Sequence, residues 1–201
     1  MIKNKIMDDN HKNKLFIIKT LIDTPLPEEI GSGYYAFADT DYQKVFLQMR
    51  QLIKTNDTDF IFDLENAFQY ADYQFFDRKS STEEHRYIRQ AGGHVFTYLK
   101  LHLKSINEPI LGVREELPEY LEESIEGIIP KNQCGEWMSA YPYILKACID
   151  YCRQNKIKGL IINILLIKFH PTDFKSYSYY VCTRQLLEKM IPSDKPTLEH
   201  N

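Results

Sequence analysis

The longest regular pattern in the chain runs from Val95 to Lys104, where Val95, Thr97, Leu99, Leu101 and Leu103 alternate with Phe96, Tyr98, Lys100, His102 and Lys104. A period of two marks a strand with two unlike faces. A helical stripe of Ile88, Val95, Leu99 and Ile106 competes with it, but Gly92 and Gly93 would weaken that helix by about 1 kcal/mol each. Residues 105–109 supply a turn, 110–113 a second strand, and the two strands are expected to lie side by side. Residues 15–18, ahead of Pro25 and Pro27, read as a short strand, and residues 160–167 as one apolar on both faces.

Helical periods fill much of the rest. Tyr42, Val45, Phe46, Met49, Leu52 and Ile53 share a face over 39–55, with Thr40 and Gln43 as a capping pair. A second helix is predicted over 59–76 from Phe60, Leu64, Ala67, Phe68, Ala71 and Phe75, leaving Phe62, Tyr70, Tyr73 and Phe76 pointing elsewhere. Ser81 and Glu84 would cap a third near Thr82, and residues 117–125 read as a short helix with Pro118 in its first turn. A strand over 127–130 leads to a helix starting at Cys134, which Pro142 would kink or end. Ile144, Leu145, Cys148, Ile149 and Cys152 form an apolar helical face, and Val181, Cys182, Leu186, Leu187 and Met190 form another. The expected class is α+β, with helices packed around a small mixed sheet; a mostly helical bundle is the alternative. One globular domain is expected over 15–191, between loose tails at 1–14 and 192–201.

Composition narrows the function. At 201 residues and 43% hydrophobic content the chain can bury a single core. Its net charge of −3 provides no overall basic field, so no nucleic-acid partner is expected unless a local basic patch exists. The longest apolar run is too short to span a bilayer and no apolar leader opens the chain, which points to a soluble, cytoplasmic protein. Four cysteines without a regular framework suit a reducing compartment. Cys148 and Cys152, one helical turn apart with no nearby histidine, read as core thiols, and no metal site is expected. Residues 31–33 lack the spacing of a phosphate loop and read as a plain turn.

Candidate chemistry gathers around three positions. His94 begins the alternating strand, and Glu115 and Glu116 follow the second; antiparallel pairing of the two would bring imidazole and carboxylate together, as around a general base. Cys134 stands at a helix N-terminus, where the macrodipole favours thiolate. His85, His102 and His170 show no ligand spacing. Arg153, Lys156, Lys158 and Lys168 read as a solvated rim or as contacts for an anionic cofactor.

The order of a Gly-Gly-His strand start (Gly92, Gly93, His94), a strand ending in Glu115 and a Cys-Gly-x-aromatic helix start (Cys134, Gly135, Trp137) resembles the YopJ-type effector acetyltransferases, relatives of the adenoviral and SUMO proteases, over about residues 85–152. The resemblance implies a cysteine-protease-like core with His94 as base, Glu115 as its orienter and Cys134 as nucleophile. It implies acetyl-CoA as acyl donor, a covalent acyl-enzyme, and a protein serine, threonine or lysine as acceptor. Gln133 would supply the oxyanion contact, although it directly precedes the cysteine where the family places its glutamine several residues upstream. The same triad would serve a cysteine protease, and the family likeness implies a bacterial effector acting in a host cell. The remaining alternative is a non-catalytic interaction or regulatory module that binds a protein partner through its aromatic-rich helices, Tyr70 and Tyr73 included.

Overall fold

Alternation over residues 95–105 does produce a strand, and a sheet is built around it. The computed structural model describes residues 2–23, 40–63, 72–89, 94–123, 127–170 and 172–191. Among the described residues, four helices, α1 (Ile2–Asp23), α2 (Thr40–Lys54), α3 (Gly135–Gln154) and α4 (Ser176–Met190), accompany nine strands: β1 (Phe60–Asp63), β2 (Gln74–Phe75), β3 (Ser81–Arg89), β4 (Val95–Ser105), β5 (Ile110–Glu115), β6 (Tyr120–Glu123), β7 (Gly127–Pro130), β8 (Ile157–Lys158) and β9 (Leu160–Lys168). The main sheet has the order β1-β5-β9-β4-β3; β2 with β8 and β6 with β7 form two small pairs. The fold is α+β, and the helical-bundle alternative is set aside by that five-stranded sheet.

One sheet face carries the core. Val95, Thr97, Leu99, Leu101 and Leu103 of β4 are buried on this face, where α4 packs on β3 and β4 and α3 on β5, and Leu111, Val113, Ile162, Ile164 and Ile167 extend this floor across β5 and β9. Each such Leu or Ile contributes roughly 1.5–3 kcal/mol by leaving water. Thr97 hydrogen-bonds Ser178 of α4, and the Tyr179 hydroxyl donates to the Lys168 carbonyl at 2.7 Å, fastening helix to sheet. Helices α1 and α2 pack on each other and on α3. The opposite face of the sheet has no helix across it among the described residues.

Several elements differ from expectation. Strands β4 and β5 are both present but are not neighbours: β9 lies between them, antiparallel to β4 and parallel to β5. Nearly every β9 side chain is apolar, so a central position buries more of it than an edge would. Gly159, at φ +72°, makes the turn into β9, where a Cβ would meet the Ile106 carbonyl oxygen at 2.6 Å.

Residues 15–18 belong to α1, since Ile17 and Leu21, four apart, are buried against the neighbouring helices. Within the stretch expected as a loose tail, Asn10 donates to Thr55 Oγ1 (3.2 Å) and Asp57 Oδ2 (3.0 Å), and Lys14 ion-pairs with Asp57. Of the helix expected over 59–76, the described ends are strands, β1 with Phe60 and Phe62 alternating inward against β5 and β2 at Gln74–Phe75, while Leu64, Ala67, Phe68 and Ala71 lie outside the described residues. Residues 81–89 form a strand, their local capping pair overridden by pairing with β4 along the whole length. Within 117–125, residues 120–123 pair with β7 as a strand around the buried Leu121. Helix α3 runs through Pro142 to Gln154; that proline removes one backbone donor, but the helix is buried on almost every side from Ala140 to Ile149 and packing holds it. Helix α2 occupies the expected span, with Val45, Met49, Leu52 and Ile53 inward. The side chains of Thr40 and Gln43, and residues 31–33, lie outside the described set.

Candidate functional site

The residues expected to form a triad are not brought together. Glu115 is level with Ile164 on β9, and Ile164 is level with Leu101 on β4. His94 precedes Leu101 by seven positions, so roughly 20 Å of strand and two strand spacings separate its backbone from that of Glu115. The antiparallel hairpin that would have joined these ends is opened by the insertion of β9. His94 itself is exposed.

Glu115 is committed elsewhere. Its side chain is 1% exposed and takes both oxygens to Lys131 Nζ (2.7 and 3.0 Å), while Leu117 N–H (2.6 Å) and Thr58 Oγ1 (3.2 Å) also donate to it. With that many donors the carboxylate is a buried staple between the end of β5 and the single 3-10 turn at Lys131–Gln133. Glu116 is exposed beside it.

Cys134 is the N-cap of α3, as the sequence suggests, and its backbone N–H donates to the Lys131 carbonyl at 3.2 Å. Its Sγ accepts from Trp137 N–H at 3.4 Å and donates to Glu136 Oε2 at 3.8 Å. The residue is 1% exposed, with Trp137 and Tyr141 stacked at 4.3 Å in the core that follows it. Gln133 is exposed and lines a cavity of about 460 Å³ with Phe46, Leu47, Arg50 and Met138, and no described histidine is among its lining residues.

The other cysteines are core thiols. Burial holds Cys148 well above the ordinary thiol range and pushes Cys152 and Cys182 up to about 12. A thiol raised in the folded chain releases its proton first from the unfolded chain, near pH 8.5, so stability falls as pH rises above that value. Urea unfolding should show a lower midpoint at pH 10 than at pH 8, and iodoacetamide should label all four native cysteines about a hundredfold more slowly than free cysteine. Rapid labelling of Cys134 would instead reveal a reachable thiol at the start of α3.

No family model matches the chain. No curated protein matches it either. Among solved structures, a protein of Thermus thermophilus is similar at a TM-score of 0.33 and 14% identity over 53% of this chain, which corresponds to 15% of that longer one. At that level the likeness carries no argument about fold or function. No helix among the described residues is long and apolar enough to cross a membrane, and no group of three metal-ligating side chains occurs among them.

The feature that stands out is the sheet face turned away from the helices. Because successive strand residues point to opposite sides, the register alone places side chains there in rows. Arg86 pairs with Tyr98 and Tyr98 with Lys168; Glu84 pairs with Lys100 and Lys100 with Leu166; His102 pairs with Asn163 and Asn163 with Arg114. Among the described side chains of this face, Arg86, Lys100, Lys104, Arg114 and Lys168 are cationic, against Glu84 and, just before β1, Asp59. The chain as a whole carries −3, so the positive charge is concentrated locally.

Two aromatic rings lie within this field. The Arg86 guanidinium sits 5.1 Å from the Phe96 ring centroid and Lys168 Nζ 5.0 Å from that of Tyr98. A hydrogen bond with the Glu84 carboxylate pushes the Tyr98 phenol up to about 12 and holds Glu84 below the usual carboxylate range, so Tyr98 stays neutral and Glu84 is engaged, with Lys100 also 3.7 Å away. Ile88 and Ile61, at 49% and 53% exposure, mark the two ends of the face. Of the basic residues suspected as an anion rim, only Lys168 belongs here; Arg153 bonds the Ile22 carbonyl, Lys156 pairs with Asp72, and Lys158 lies over Phe75. His85, His102 and His170 bond Gln185, Thr82 and Thr172.

Proposed function

We propose that this protein is a non-catalytic binding module that holds an anionic partner on the face of its five-stranded sheet that no helix crosses among the described residues. The observation carrying this reading is the concentration of Arg86, Lys100, Lys104, Arg114 and Lys168 on one sheet face of a chain with net charge −3. A rigid strand scaffold fixes these charges at regular spacing, and the helices behind it keep the face from collapsing. Acyl transfer and proteolysis are not part of the proposal, since both need His94 beside a reachable Cys134.

The test is retention on immobilised heparin at pH 7.5. A protein of net negative charge with an even charge distribution passes through; this one should be retained and elute with salt, its retention falling linearly on a log-log plot of affinity against salt. Cys134→Ala and His94→Ala should elute with the wild type. Flow-through of the folded wild type at low salt would remove the proposal.

A further inference from the structure

We infer that the anionic partner is a single-stranded nucleic acid, with bases stacked on Phe96 and Tyr98 and phosphates held by Arg86, Lys100 and Lys168. The inference rests on the anionic-partner reading above and adds its chemistry. Phe96 and Tyr98 stand two residues apart on one strand, which spaces the rings by about 6.6 Å along a single line. Each ring already has a cation within about 5 Å, as the distances of 5.1 and 5.0 Å show, so a base settling on either ring brings its phosphate within reach of a positive group. The Glu84 contact steadies the Tyr98 phenol at its edge and leaves the ring in place as a platform.

Shape separates single strands from duplexes. A major groove admits one helix or a two-stranded ribbon, and this face is the broad side of five paired strands. Only an unpaired strand exposes base faces to rings projecting from such a surface. Farther along the same face, Asn163 Oδ1 is buried with no hydrogen-bond donor among the described residues. It is level with His102 and Arg114 in the middle of the face. An acidic polypeptide or a sulfated sugar would use the cations and gain no stacking from the rings. The expectation from net charge, that no nucleic acid binds, averages over a surface on which the charges are segregated.

The experiment is fluorescence anisotropy of the full chain with a labelled oligo(dT) of about 20 nucleotides, alongside a duplex of equal length and polyglutamate as competitor. Oligo(dT) should bind, with a log-log salt slope near −2 for three phosphate contacts at about 0.7 each. Phe96→Leu and Tyr98→Leu should each weaken oligo(dT) about tenfold while leaving heparin retention unchanged, because they remove stacking and no charge. Duplex bound as tightly as single strand, polyglutamate preferred to oligo(dT), or ring variants that bind like wild type would overturn the inference while heparin retention still stood. Failure on heparin as well would take both readings down. Ultraviolet crosslinking of a bromodeoxyuridine oligonucleotide to wild type gives a result that does not depend on the folding of any ring variant: adducts on the β4 peptide support the inference, and adducts confined to other peptides overturn it.

Discussion

Glu115→Ala should lower folding stability by about 3 kcal/mol, read from the urea midpoint at pH 7. Removing one partner of a buried pair leaves the other charge unpaired, and here it also strands the Thr58 hydroxyl and the Leu117 N–H, both of which donate to the lost carboxylate. The figure sits at the lower end of the range for such deletions because the Lys131 side chain is 14% exposed and can recover part of its hydration. Glu115→Gln keeps the shape and one acceptor and should cost about half as much. Replacing the pair together, as Glu115→Leu with Lys131→Met, should recover only part of the loss, since the desolvation cost of both ions vanishes while the Thr58 hydroxyl and Leu117 N–H stay without their acceptor. A carboxylate orienting an open catalytic histidine would behave differently, and a change of less than about 0.5 kcal/mol for Glu115→Ala would show that the carboxylate is no staple.

The double variant Lys100→Glu with Lys168→Glu should weaken binding to a polyanion about hundredfold at moderate salt and flatten its salt dependence. Lys100 is 38% exposed and Lys168 is exposed, so the fold has little to lose from either change. The comparison that isolates the local field is Lys19→Glu with Lys54→Glu, two positions on α1 and α2 that change net charge equally. That control should shift affinity less than threefold, since charges beyond about 8–10 Å are largely screened at physiological salt. Equal losses from both pairs would mean that total charge, and no particular face, governs binding.

Strand and helix positions were legible wherever one face had to be buried. The ten-residue alternation from Val95 to Lys104 became β4 with both faces assigned as expected, the run at 160–167 became β9, and the stripe from Val45 to Ile53 became α2. Misreadings fell where local signals were short. Residues 15–18 looked like a strand because four apolar residues in a row have no period, and the Ser81–Glu84 pair looked like a cap because capping chemistry is local while β3 is held by a partner strand.

The candidate site divides along the same line. Phe96, Tyr98, Lys100, His102 and Lys104 were on one face from period alone, and Cys134 at a helix start followed from spacing. The sequence by itself thus determined which side chains share a strand face and which thiols sit in helices, because covalent geometry imposes periods of 2.0 and 3.6 on the chain. Only the tertiary structure decided that β9 separates β4 from β5, which sets His94 far from Glu115, and that Arg86 and Lys168 flank the rings of β4. Strand order is a choice among pairings of similar local energy, settled by which strand gains most from burial on both sides, and no single segment records that competition.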